Sequence, residues 1–196
     1  MVTEALNAIM QIGASLIRGA SFEEQATASG RFHAELIRNG EKIWEDDFPN
    51  TVTTEGKNTA LDGFLAAGAV TPGPYMGLIS STSYSAIAAG DTAAQINGTN
   101  GWKEGGLANA PTYSGGRKSM SWSAASAGSK ATSTACSFAI TGTGTAKGAF
   151  IVFSTSASTT NDNTSGKLYS AGLFSAPGDR AVVSGDTLNV SYTASL

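Results

Sequence analysis

The chain has 196 residues and a formal net charge of −3, a length that suits one domain able to bury a core without disulfides or metals. Charged residues make up 14% of it, against about 25% in soluble proteins at large, so the surface is polar but sparsely charged, as in proteins that spend their lives packed in an assembly. Lys and Arg are scattered, which leaves no basic field for direct nucleic-acid binding, and no stretch approaches the ~20 apolar residues of a membrane span.

Residues 2 to 17 place Val2, Leu6, Ile9, Met10, Leu16 and Ile17 at spacings of three and four, which line one side of an amphipathic helix. The segment lacks the basic start, continuous apolar run and cleavage site of a secretory signal, so no export signal is expected. Residues 1–29 are therefore read as an N-terminal helix or arm. Its stripe (Leu6, Ile9, Met10, Leu16 and Ile17) is the candidate protein interface, with another copy of the chain or a neighbouring protein favoured as its partner over the alternative, a helix that caps one end of its own sandwich.

From Arg31 the period changes to two. Phe32, Ala34 and Leu36 alternate with His33, Glu35 and Ile37, and Asn39-Gly40 supplies a two-residue turn before the chain returns over Glu41 to Phe48, the signature of a β-hairpin. Thr53-Thr54-Glu55-Gly56 leads into a short helix over Lys57 to Ala67, with Ala60, Leu61, Phe64 and Leu65 at helical spacing and Gly68 as its stop. Tyr75 to Ile79 reads as a buried strand after the rigid Pro72-Gly73-Pro74 turn.

The Gly-rich stretch Tyr84 to Asn109 is expected to be a functional surface or a mobile loop instead of core. Further strands are expected over Arg117 to Ser123, Ser133 to Thr141, Ala146 to Ser154, Gly166 to Phe174, Ala181 to Val183 and Thr187 to Tyr192. The Ser/Thr/Asn/Asp run Ser154 to Ser165 is expected as an exposed loop. About eight strands predict a mainly β fold over residues 30–196: an antiparallel β-sandwich of jelly-roll type with one short helix.

Chemistry is sparse. His33 is the sole histidine and alternates with Phe32 and Ala34 on a strand, which favours a solvent or interface position over a catalytic triad. One His and one Cys far apart exclude a structural zinc site, and no metal or cofactor is expected. Cys136 lies in an apolar run and reads as a small core residue. Glu23-Glu24 and Asp46-Asp47 are adjacent pairs, and neighbours on a strand point to opposite faces, so Asp46 and Asp47 do not form a glycosidase pair. Asn161-Asp162-Asn163 lacks the glycine and glutamate of a calcium loop, and Gly142-Thr143-Gly144 lacks the Lys of a phosphate loop. Trp44, Trp102 and Trp122 read first as core plugs of a sandwich, with a stacking platform as the alternative; on that alternative Trp102, beside Lys103-Glu104, is the candidate ligand contact.

The run from Gly30 to Trp44, the segment Asn50 to Asn58 with its Thr-x-Glu-Gly turn, and Pro74-Tyr-Met-Gly-Leu-Ile79 together resemble small virion proteins of tailed bacteriophages. The resemblance covers residues 30 to 196 and leaves the N-terminal segment out. It implies a non-enzymatic head-decoration or minor structural component with no catalytic residues. The expected function is that of a capsid decoration or cement protein. Its expected partners are the major capsid protein and copies of itself, as a homo-oligomer such as a trimer. It would lie on the outer surface of the virion head after synthesis in the bacterial host cytoplasm. The alternative is a tail-fibre or receptor-binding module holding a host glycan.

Overall fold

The alternation that starts near Arg31 organises the first half of the molecule. In the computed structural model, which describes residues 27–65, 72–82, 86–97, 101–153, 164–175 and 178–196, β1 (Ser29–Arg38) and β2 (Glu41–Pro49) form an antiparallel hairpin. Its turn needs two left-handed residues, and Asn39 (φ 52°) and Gly40 (φ 82°) supply them. Phe32, Ala34, Leu36 and Phe48 point inward and are fully buried.

The remaining elements are β3 (Thr51–Val52), α1 (Thr54–Leu65), β4 (Tyr75–Ser80), a 3-10 turn (Ala93–Gln95), β5 (Thr112–Tyr113), β6 (Lys118–Ser119), β7 (Ser129–Ala131), β8 (Cys136–Gly142), β9 (Gly144–Phe153), β10 (Lys167–Leu173), β11 (Arg180–Val182) and β12 (Thr187–Ser195). They build two antiparallel sheets. The first runs β2-β1-β12-β8-β5 with β7 also on β12, and the second runs β3-β10-β9-β4-β6 with β11 also on β9. The fold is thus mainly β, consistent with a sandwich.

The space between the sheets is filled by Phe32, Phe48, Met76, Leu78, Phe138, Ile151, Leu188 and Tyr192 among others. Phe48 stacks on Phe32 at 5.1 Å and meets Phe174 edge-on at 5.0 Å. A second cluster lies on the opposite face of the second sheet. There Ile79, Phe150, Val152, Leu168 and Ala171 are covered by Ala93, Ile96 and Trp102. A sheet buried on both faces carries continuous apolar runs, which explains why β9 contains Ala149-Phe-Ile-Val152 without alternation. The described part of the Tyr84 to Asn109 stretch is therefore a covering layer with buried residues of its own, contrary to the expectation of an exposed surface or mobile loop.

The helix begins earlier than the spacing predicts. Thr53 Oγ1 accepts from the Gly56 amide at 3.0 Å and donates to the Leu168 carbonyl, a cap that starts α1 at Thr54. Glu55 accepts from the amides of Leu168 (2.7 Å) and Ala93 (3.0 Å), joining helix, β10 and covering layer. A Cβ on Gly56 would stand 2.3 Å from the Tyr169 carbonyl oxygen, so only glycine lets the helix approach β10 this closely. Leu61 and Leu65, singled out by their helical spacing, are 55% and 72% exposed, whereas Gly56 in the first turn is buried against β10.

The strand expected over Arg117 to Ser123 shortens to β6. Met120 donates to the Pro74 carbonyl on the second sheet, whereas Ser121 and Ser123 bond Ser133 and Ala131 beside the first. A segment crossing between sheets cannot continue one ladder. The short strands β3, β5 and β7 were not expected.

One polar tie closes the far end. Asp186 accepts Arg38 Nε and Nη2 at 2.7 Å each and the Val183 amide at 2.9 Å. The Arg38 guanidinium holds this carboxyl below its ordinary value of 3.8. A lowered folded-state pKa contributes stability above the ordinary value, and that contribution disappears as the pH falls through the folded one. We expect Asp186→Asn to cost about 1.5–3 kcal/mol at pH 7, with the gap to wild type narrowing toward pH 3 in denaturant titrations.

Candidate functional site

Among the described residues, three places that concentrate polar or aromatic side chains stand out. The first is the outer face of the first sheet, where register sets His33 opposite Asp47 and Glu35 opposite Glu45. His33 Nδ1 lies 3.1 Å from Asp47 Oδ1, and its Nε2 lies 3.6 Å from Glu35 Oε1. His33, Glu35 and Glu45 bring ligand atoms within 4.8 Å of one another, but Lys42 already stands among them, 3.2 Å from Glu35 and hydrogen-bonded to Glu45. Its ammonium lowers the Glu35 pKa. A metal there would have to displace a cation that the hairpin itself supplies. The alternation expected of Asp46-Asp47 holds: Asp46 turns in and accepts the Ser175 amide at 2.7 Å, while Asp47 faces His33.

The second place is buried. Glu104 and Arg117 form a bidentate ion pair at 2.9 and 2.8 Å with both side chains 0% exposed. The Arg117 guanidinium also sits 5.3 Å from the centre of the Phe150 ring. Gly77 makes the room, since a Cβ there would lie 2.3 Å from Phe150 and 2.9 Å from Glu104 Oε1. Bidentate geometry and complete burial make this a structural clamp on the covering layer. Nothing in the sequence pairs Glu104 with Arg117, thirteen residues apart in irregular chain.

Trp102 belongs to the same layer. It is 0% exposed, tilted against Phe150 at 5.2 Å, with no acceptor for its indole N–H among the described residues. Trp102 thus sits where the core-plug reading puts a sandwich tryptophan and not at a surface where it would meet a ligand: the outer face of the second sheet needs an apolar cover, and Trp102 is its largest piece.

The third place is an aromatic pocket of about 350 Å³ between the sheets, lined by Pro74, Trp122, Ile151, Phe153, Tyr169 and Ala194, with Lys130 at its edge. Trp122 and Tyr169 each meet Tyr192 edge-on at 6.3 Å. The Tyr192 hydroxyl accepts from Asn50 Nδ2 at 2.8 Å, and burial raises the pKa of both Tyr169 and Tyr192, keeping them neutral. Lys130 Nζ donates to the Ser123 carbonyl at 2.9 Å. The pocket therefore presents mainly carbon to an incoming group. Of its residues the sequence singled out only Trp122, because Phe153 and Tyr169 join it through a register that spacing does not reveal.

Cys136 is buried beside Phe138, and burial pushes its thiol up to about 11. At pH 8 about one thiol in a thousand would be ionised. We expect iodoacetamide to leave Cys136 unmodified in the native protein and to label it fully after denaturation, read by intact mass; rapid native labelling would mean an open core.

The interface candidates Leu6, Ile9, Met10, Leu16 and Ile17 lie outside the described residues, as do Glu23-Glu24 and Asn161-Asp162-Asn163. Among the described residues no helix is long and apolar enough to cross a membrane. Comparison with known proteins gives no match, whether to family models, curated proteins or solved structures.

Proposed function

We propose that this chain is a structural protein of a tailed-phage particle: a decoration or cement protein, with a sandwich of jelly-roll type, that binds the major capsid protein on the outside of the head. It acts as a homo-oligomer such as a trimer, without catalysis or cofactor. The observation that carries the adhesive part of this reading is the exposed pair Leu61 and Leu65. They stand one turn apart on a helix, at neighbouring surface positions, on a protein with few charges. The stripe of residues 2 to 17 adds a second apolar surface, which on this reading lies in a groove of a neighbouring subunit. The phage assignment itself rests on the resemblance of residues 30 to 196.

Locating the protein in purified particles by immunogold labelling tests the assignment. Label spread over the head supports it, and label confined to the tail tip overturns it in favour of the receptor-binding reading. The stacking rings of the aromatic pocket favour that second reading, and its shortage of hydrogen-bonding groups weighs against it. A glycan array with wild type and Trp122→Ala separates the two, since a cement protein binds no sugar.

A further inference from the structure

We propose that the aromatic pocket is the seat of the chain's own residue 2–17 stripe. Three observations converge on it. The pocket wall includes Ala194, and Ala194 pairs with Gly30 at the start of β1. The polypeptide preceding β1 therefore leaves the sheet at the edge of the cavity. The eleven residues 18–28 span at most about 36 Å when extended, enough slack for the segment before them to turn back onto the pocket.

The second observation is the chemistry of the wall. Trp122, Phe153, Tyr169, Ile151 and Pro74 present rings and aliphatic carbon, and Lys130 is engaged by the Ser123 carbonyl. A sugar needs several hydrogen-bonding partners and finds few here, whereas Leu, Ile and Met side chains need only apolar contact.

The third is the supply of such side chains. The sequence places Leu6, Ile9, Met10, Leu16 and Ile17 along one stripe, tethered by a linker short enough to give an effective concentration in the millimolar range. In dilute solution the tethered stripe outcompetes that of a second copy. Where neighbours are crowded in an assembly, the same seat accepts the stripe of an adjacent copy, an exchange familiar from domain-swapped oligomers. The intrachain seat does not depend on where in a particle the protein sits.

The test uses the full-length protein and trypsin, whose first site is Arg18, with loss of residues 1–18 followed by intact mass. Leu6→Asp combined with Ile9→Asp should raise the cleavage rate by about tenfold or more, the change expected when roughly 1.4 kcal/mol of docking is lost. Iodide quenching of Trp122, isolated by comparison with Trp122→Phe, should rise in the same double variant. Leu107→Asp, on an exposed leucine that does not line the pocket, should change neither. Equal cleavage rates would overturn the proposal. So would faster cleavage with unchanged Trp122 quenching, which would put the stripe elsewhere, or protection that fades on dilution, which would put it on a second copy.

Discussion

Arg117→Met should destabilise the protein by about 3–5 kcal/mol, because it leaves the Glu104 carboxylate buried without its cation. Both side chains are 0% exposed, so water cannot replace the missing partner. Glu104 also anchors the covering layer to β4 through the Ile79 bridge. Replacing both members, Glu104→Leu with Arg117→Met, should recover most of the loss, since a buried pair is often no better than apolar groups of similar volume. Urea unfolding of the two singles and the double gives the coupling directly. A single variant costing under about 1 kcal/mol would mean that the layer is open to solvent.

Trp102→Ala should cost about 3–5 kcal/mol, the usual range for emptying a large aromatic site. Phe150 would lose its ring partner, and Ile79 and Ile96 would face a cavity. Trp102→Phe should cost far less, under about 1.5 kcal/mol, because no hydrogen bond of the indole is lost among the described residues. Thermal or denaturant melting separates this from the surface-platform reading, in which Trp102→Ala would change stability by no more than about 0.5 kcal/mol.

Much of the fold was legible where one period runs uninterrupted. The hairpin, its Asn39-Gly40 turn and β12 follow directly from alternation with one buried face. Two of the three motifs behind the phage resemblance also acquire physical causes. In Thr53-Thr54-Glu55-Gly56, Thr53 caps the helix, Glu55 ties it to β10, and Gly56 permits close approach. In Tyr75-Met-Gly-Leu, Gly77 leaves space for the Phe150 ring and the Glu104 carboxylate.

What the sequence concealed is the third layer. A Gly-rich stretch with few apolar residues looks like a loop, yet Ala93, Ile96 and Trp102 suffice to cover the second sheet when an ion pair pins them down. The same concealment hid the aromatic pocket, whose walls come from strands far apart in the chain. Helical spacing located the helix but not the exposure of Leu61 and Leu65, because periodicity reports which residues share a face and not whether that face meets anything.

The account rests most heavily on adhesion through the apolar stripe that precedes the sandwich. Its most direct test is to supply full-length Leu6→Asp, Ile9→Asp protein in place of wild type during particle assembly and to measure the amount retained on purified particles. The expected result is a variant whose sandwich still folds cooperatively yet is missing from the particles. A variant incorporated at the wild-type level would contradict it.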